Sequence, residues 1–249
     1  RSERIIFEKT SSLLDSNIIV AKQSSKEIIE FIKKNTSKNK ANKCFFNEDY
    51  NFVIKENDFF YYEDKYGGLK IPKPSMKGQF QLENASSAIA SLRVLENLNI
   101  KDQHIINGVK KAYNSARLEE IKSGKLKNLV KDNTLIIDSS HNPGGSKSLN
   151  EYLQTLNCNK HVIIGMMENK DHEKFISYFK DISSLTVIDI PNQVNAISGK
   201  KLKEKFKNFS NLSFSENIEQ ALKDLRLNQN DIVIITGSIY LTGEVLNLN

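Results

Sequence analysis

The chain has 249 residues and a formal net charge of +6, from 36 Lys and Arg against 30 Asp and Glu, with 39% apolar and 27% charged residues. That length buries a sizeable core in one large domain or two ordinary ones, and the composition is that of a globular chain rather than a disordered or fibrous one. No apolar run reaches the ~18 residues a membrane span needs, and the lysines are scattered without an interleaved aromatic platform, so neither a membrane nor a nucleic acid is expected as a partner.

Cys44 and Cys158 lie far apart, with no Cys-x-x-Cys and no Cys/His metal spacing, which points to a reduced, cytoplasmic compartment. No signal-peptide pattern opens these residues and none is expected, and the chain starts at Arg1 inside what reads as structured sequence, so a preceding segment is expected. Arg1 to Leu14 reads as a helix end and a turn, with Ile5, Ile6, Leu13 and Leu14 around polar residues. Asn17 to Ala21 reads as a buried strand, and Ser24 to Lys33 as an amphipathic helix carrying Ile28, Ile29 and Ile32 on one face. Lys34 to Lys43 is a loop by composition. From Cys44 to Ile71, short aromatic and β-branched runs separated by Asn57-Asp58 and Gly67-Gly68 predict antiparallel hairpins, closed by Pro72 and Pro74. Gly78 to Leu98 reads as a loop entering a helix, and a second helix runs from about Ile105 to Tyr113.

Past Tyr113 to Arg117, where the domain boundary is expected, the texture changes. Strand-like runs recur at Leu135 to Asp138, Val162 to Gly165, Leu185 to Ile190 and Ile232 to Thr236, with helical patterns between them. This alternation predicts an α/β domain, a mostly parallel sheet with helices on both faces. Residues 1–116 and 117–249 are the expected domains.

The stretch from Thr134 to Asn150 organises the second of them. A short β-branched run ends at Asp138, and Asn142 and Pro143 then suit the cap and first position of a helix. In a parallel sheet, ligands bind at the loop that leaves a strand's carboxyl end, and the following helix offers free N–H groups to an anion. Asp138 and His141 stand in that loop. The same Asp-Ser-Ser and Asn-Pro-Gly-Gly are also ordinary turn formers, which a connection uses with no ligand at all. His104, His161 and His172 have no partners in the sequence and read as solvated or core histidines. Gly237-Ser238 reads as a strand-to-helix turn without a catalytic part.

Several segments together resemble the folylpolyglutamate synthase and dihydrofolate synthase family of the Mur ligase superfamily. Gly78-Gln79-Phe80-Gln81-Leu82-Glu83-Asn84-Ala85 resembles the family's Gly-x-His-Gln-x-x-Asn-Ala, and Ala116-Arg117-Leu118-Glu119 its Gly-Arg-(aromatic or aliphatic)-Glu. Asp138-Ser139-Ser140-His141-Asn142-Pro143 is similar to Asp-Gly-Ala-His-Asn-Pro, and Asn169-Lys170-Asp171 to Asp-Lys-Asp. Gly237-Ser238-Ile239-Tyr240-Leu241-Thr242-Gly243-Glu244 is similar to Gly-Ser-Leu-Tyr-Leu-x-Gly-Glu, and Glu8-Lys9 to the start of Glu-Lys-Ala-Gly-Ile. Each match alone is weak. In the family's order along nearly the whole chain, they carry weight together.

The resemblance implies the end of an ATP-binding domain followed by a Rossmann-like domain that receives glutamate. It implies an ATP-dependent ligase that joins L-glutamate to a dihydropteroate or folate carboxylate through an acyl phosphate, with Mg2+, as a monomer. Asn84 would hydrogen-bond the nucleotide, Arg117 would reach its phosphates, and Asp138 would hold the nucleotide from the second domain. His141 is the candidate for contacting the transferring phosphate or orienting the incoming amino acid. Lys9 matches a lysine that the family carbamylates into a magnesium ligand. A surface Glu-Lys pair is the plain alternative for Lys9, a helix cap for Asn84, and a surface ion pair for Arg117. Two departures stand out: Phe80 replaces the usual His, and no Gly-x-x-x-x-Gly-Lys-Ser/Thr loop occurs, so residues 1–249 alone are expected to be inactive. A Mur ligase acting on a peptidoglycan precursor and a non-catalytic nucleotide- or amino-acid-binding module are the rival expectations.

Overall fold

The computed structural model describes residues 2–11, 13, 15–95 and 97–249. They form two compact units, one from residues 1–75 and 79–113, the other from residues 76–78 and 114–249.

The first unit runs α1 (Ser2–Thr10), β1 (Ile18–Val20), α2 (Lys26–Asn35), β2 (Lys43–Phe45), β3 (Tyr50–Val53), β4 (Phe59–Asp64), β5 (Gly67–Pro72), α3 (Phe80–Arg93) and α4 (Asp102–Lys111). The reading of Arg1 to Leu14 as a helix end becomes a full helix, α1; Arg1 and Leu14 themselves lie outside the described residues. Ser25 caps α2 by accepting from the Ile28 N–H, and the apolar stripe of α2 packs Ile28, Ile29 and Ile32 against Ile18, Val20 and Phe45.

The hairpins predicted from Cys44 onward begin later. Only β3, β4 and β5 form the antiparallel sheet; β2, which contains Cys44, pairs in parallel with β1. The chain turns between β2 and β3 because the Asp49 carboxylate accepts from the Phe45 N–H at 2.7 Å and Asn47 adopts a left-handed φ of 65°. Against the three-stranded sheet, α3 and α4 bury Leu82, Ile89, Ala90 and Ile105 over Phe60, Tyr62 and Ile71. Tyr50, buried between them, donates to the Val20 carbonyl at 3.1 Å and shares a 3.0 Å bond with the Ser87 hydroxyl.

The second unit runs β6 (Glu119–Ile121), α5 (Lys125–Leu129), β7 (Thr134–Asp138), α6 (Pro143–Leu153), β8 (Lys160–Ile164), α7 (His172–Ile176), β9 (Ser184–Ile188), α8 (Gly199–Lys205), β10 (Leu212–Ser215), α9 (Ile218–Asp224), β11 (Ile232–Thr236) and α10 (Ile239–Leu248). Its strands make one sheet in the order β10-β9-β8-β11-β7-β6, parallel except for the edge strand β6. This is the mixed α/β fold with a mostly parallel sheet that the alternating pattern predicts. Both β8 and β11 are buried at every position, as a strand covered on both faces must be.

Leu135, Ile137, Ile163, Val233 and Ile235 meet α5, α9 and α10 on one face, while α8 packs on the other against Phe214, with α6 and α7 beside it. Because β11 inserts between β7 and β8, the loops that leave these three strands converge at the carboxyl edge of the sheet.

Candidate active site at the carboxyl ends of the parallel strands

The loop after β7 is the best-tied segment of this edge. Asp138 is 2% exposed, and its carboxylate accepts from the Ser140 N–H at 2.9 Å and from the Leu118 N–H at 3.0 Å. Burial raises the Asp138 pKa above its ordinary value, opposed by a hydrogen bond from the Ser140 side chain, by these two backbone bonds and by the Arg117 charge. Asn142 caps α6, accepting from the Gly145 N–H at 2.9 Å, and Pro143 occupies the first helical position, as read from sequence.

A second tie joins the Arg117 turn to the same loop. Ala116 accepts from the Ser139 N–H at 2.8 Å, while Ala116 and Leu118 hold left-handed φ values of 55° and 49° on either side of Arg117. Neither residue is glycine, so each costs ~1–2 kcal/mol in that region. Bonds from both sides hold the turn in it: Glu119 accepts from the Ala116 N–H at 2.7 Å, and Asp138 accepts from that of Leu118. Arg117 is half-buried.

The third tie is to the loop after β11. Ser140 accepts from the Gly237 N–H at 2.9 Å, and Ser139 and Thr242 share a buried hydroxyl bond of 2.8 Å. Gly237 has a φ of 104°, and a Cβ there would stand 2.6 Å from the Gly165 carbonyl oxygen, so only glycine fits. Ser238 then caps α10 through the Tyr240 N–H at 3.2 Å. After β8, His172 bonds the Met167 carbonyl at 3.0 Å and Asp171 caps α7, fixing the loop from residue 167 to 171 between them.

These loops enclose a cleft of about 640 Å³ whose lining includes His141, Glu168, Lys170, Asn195, Ser238 and Tyr240. The His141 Nδ1 lies 2.9 Å from the Ser139 carbonyl. A carbonyl can only accept, so Nδ1 carries the proton and Nε2 is the nitrogen free to serve a ligand. The lining is chemically mixed. Lys170 and the Ser238 hydroxyl can serve carboxylate oxygens, whereas Glu168 and the unprotonated His141 Nε2 offer acceptors to an ammonium group.

Among the residues singled out in the sequence, His141, Asp138 and Arg117 come together in this unit. Only His141 lines the cleft; Asp138, expected to hold a nucleotide, spends both oxygens on backbone N–H groups. Asn84 and Lys9 belong to the first unit. Asn84 is exposed inside α3 and donates to the Gln81 side chain at 3.2 Å; it is not the helix cap, a position held by Gln79. Lys9 is exposed in the last turn of α1. Among the described residues, no three His, Cys, Asp or Glu side chains group to hold a metal ion. Ser238 and Lys170, given no role from sequence, both line the cleft. Their motifs were visible, but only the fold brings residues so far apart in sequence to one opening.

Residues 116–239 match the family described as Mur ligase, glutamate ligase domain. Among curated protein sequences the chain has no match. Among solved structures it is similar to folylpolyglutamate synthase from Thermotoga maritima, with 22% identity over 98% of this chain and 57% of that one and a TM-score of 0.74. It is also similar to E. coli FolC in complex with ADP, with 20% identity, coverage of 98% and 56%, and a TM-score of 0.80. Against Mycobacterium tuberculosis folylpolyglutamate synthase complexed with ADP and AMPPCP, identity is 18%, coverage 99% and 59%, and the TM-score 0.82. The chain thus spans less than three-fifths of the length of each of these proteins. Among its described residues, no helix is long and apolar enough to cross a membrane. Residues 116–239 therefore belong to the Mur ligase glutamate ligase domain family, in a chain whose fold is that of the solved folylpolyglutamate synthases.

Proposed function

We propose that this chain is the carboxyl-terminal part of a cytoplasmic, monomeric ATP-dependent acid–amino-acid ligase that joins L-glutamate to a dihydropteroate or folate carboxylate. Residues 1–116 are the end of the ATP-binding domain and residues 117–249 the domain that receives glutamate. The observation that carries this reading is the cleft at the carboxyl ends of β7, β8 and β11, inside a segment matched to a glutamate ligase family. Its lining suits the substrate. Glutamate brings two carboxylates and an ammonium group; Lys170 and the Ser238 hydroxyl offer donors to the carboxylates, and Glu168 and the His141 Nε2 offer acceptors to the ammonium group.

ATP, when bound, supplies the phosphoryl group that activates the substrate carboxylate. The chain's own groups position and neutralise. Arg117, with its fixed fork of donors, contacts the phosphates, and Asn84 hydrogen-bonds the nucleotide. Asp138 serves the nucleotide indirectly, because its carboxylate fixes the turn that aims Arg117. His141, with Nδ1 held by the Ser139 carbonyl, uses Nε2 to orient the incoming amino acid by accepting from its ammonium group, or, with both ring nitrogens protonated, to contact the transferring phosphate. Lys9, if carbamylated, would give Mg2+ one ligand; among the described residues no group of three His, Cys, Asp or Glu completes such a site.

The test is glutamate-dependent ADP release by the full-length protein with dihydropteroate, with a folate, and with a muramyl peptide, for wild type and Lys170→Ala. Turnover on the pteroate or folate substrate, with a raised KM for glutamate in the variant, supports the reading. Turnover only on the muramyl peptide moves the protein to the peptidoglycan branch. Nucleotide or glutamate binding without turnover would leave a binding module in place of the ligase.

A further inference from the structure

A second cleft of the same unit lies on the sheet face that packs Ile163 and Ile188 against α9. Toward the edge strand β10 that face changes character. His161 is in register with Ser184, Ile163 with Thr186, Thr186 with Ser213, and Ile188 with Ser215. Side chains two apart along a strand share a face, so three neighbouring strands present four hydroxyls and an imidazole to one cavity of about 450 Å³. Arg226, at the end of the segment after α9, is exposed and also lines it.

The hydrogen bonds inside the cavity show what is left over. Asp231 is held by the Asn228 N–H at 2.7 Å, by Asn159 Nδ2 at 2.8 Å and by His161 Nε2 at 3.2 Å. A carboxylate only accepts, so Nε2 carries the imidazole proton and Nδ1, 2.8 Å from Ser184 Oγ, takes the Ser184 hydroxyl proton. Thr186 and Ser213 bond each other at 2.9 Å, which leaves one O–H of the pair unused. Ser215 is 5% exposed, and its Oγ has no hydrogen-bond partner at all. A hydroxyl so buried is costly unless something in the cavity bonds it. Arg226 contributes a guanidinium with no ion pair among the described residues. Asp224, also in the lining, already accepts from Gln220 Nε2 at 2.6 Å.

The unused groups are therefore mostly donors: the Arg226 fork, the Ser215 hydroxyl and one hydroxyl of the Thr186 and Ser213 pair. We infer that this cavity binds a small phosphate-bearing molecule, with Arg226 at the phosphate from the exposed side and Ser215 bonding it from the buried side. A fork of N–H donors matches phosphate oxygens in pairs, and hydroxyl donors complete the set without adding charge. The cavity exceeds one phosphate ion in size, so the ligand is either free phosphate with water or a phosphate monoester. This inference stands on the cavity alone and not on the ligase reading.

The experiment titrates inorganic phosphate, and separately glycerol phosphate, into the protein at constant ionic strength set with chloride, followed by calorimetry and by backbone amide shifts of β9 and β10. Saturable binding is expected, weakened at least tenfold in Arg226→Gln and about fivefold in Ser215→Ala. Arg226 is exposed, so Arg226→Gln should keep the wild-type melting temperature in chloride, and Ser215→Ala, which removes an unpartnered buried hydroxyl, should keep or raise it. Tighter binding of glycerol phosphate identifies a monoester as the ligand, and equal binding identifies phosphate itself. Absence of saturable binding by either probe, or binding that survives both substitutions, overturns the inference.

Discussion

Replacing Asp138 with Ala tests whether the Arg117 turn is held by that carboxylate. The side chain accepts from the Leu118 and Ser140 N–H groups at 3.0 and 2.9 Å, in surroundings where Asp138 is 2% exposed. Leaving a buried N–H without an acceptor costs ~1–3 kcal/mol, so two of them cost ~2–6 kcal/mol. Relief of burying a carboxylate offsets part of this, and a net loss of about 2–4 kcal/mol in urea unfolding is expected. The local signature is sharper. With its clamp gone, the left-handed Leu118 at φ 49° relaxes, and the Leu118 amide loses its acceptor. At tenfold per ~1.4 kcal/mol, hydrogen exchange at Leu118 should quicken by about 5- to 100-fold, while the Ile163 amide in β8 changes only with global stability. Exchange at Leu118 within twofold of wild type, with unchanged unfolding free energy, would refute the clamp.

Three other outcomes follow from the same geometry. The folded-state pKa of Asp138 lies above its ordinary value of 3.8, so the stability it contributes is present in acid and lost as pH rises through the folded value. Urea unfolding from about pH 4 to 6.5 should show the wild-type advantage over Asp138→Asn shrinking as pH rises; an advantage that grows would mean that the two N–H bonds outweigh burial. Gly237→Ala puts a Cβ 2.6 Å from the Gly165 carbonyl oxygen at a φ of 104°, and should cost about 3 kcal/mol or more, read as a lowered urea midpoint at constant slope. In the first unit, Asp64→Ala strips the 2.8 Å partners of both Arg93 and the Tyr62 hydroxyl, in an ion pair only 7% and 10% exposed. A loss of roughly 3 kcal/mol is expected, at the low end for a broken buried pair, because Arg93 keeps Asp102 and the Gly67 carbonyl.

The central strands were legible because burial on both faces writes itself into a strand as an unbroken apolar run. Residues 135–138 and 232–236 announce β7 and β11 in this way. The edges of the sheet obey no such rule. In β10, Leu212-Ser213-Phe214-Ser215 alternates, and β6 reads Glu119-Glu120-Ile121; neither segment was identified as a strand from sequence. The choice of β2 as the partner of β1 was equally hidden, since it pairs residues 18–20 with 43–45 across an intervening helix. The helix cap offered as the plain alternative for Asn84 falls at Gln79 instead, because α3 starts without a capping side chain to mark its true beginning. At the site, the motif around His141 was visible in the sequence. That Asp138 faces inward to Leu118, rather than outward to a ligand, depends on a contact between segments 20 residues apart, which no local pattern encodes.

The departure of Ser139-Ser140 from the Gly-Ala of the resembled motif has a physical counterpart elsewhere in the chain. A serine side chain at this depth, 4% exposed, would bury an unpaired hydroxyl, yet Thr242 of α10 meets it at 2.8 Å and is itself 1% exposed. The next residue, Ser140, stands 2.9 Å from where a Cβ on Gly145 would lie, so the first turn of α6 approaches the loop only because residue 145 lacks a side chain. Ser139 and Ser140 thereby tie three other segments and the neighbouring His141 ring at once. Their backbone and hydroxyl groups reach the Arg117 turn through Ala116, the His141 ring, the loop after β11 through Gly237, and α10 through Thr242. A hub of this kind ties the Arg117 turn to the His141 loop before any ligand arrives, which is the condition for the proposed phosphate contact of Arg117 and the proposed amino-acid contact of His141 to act on one substrate.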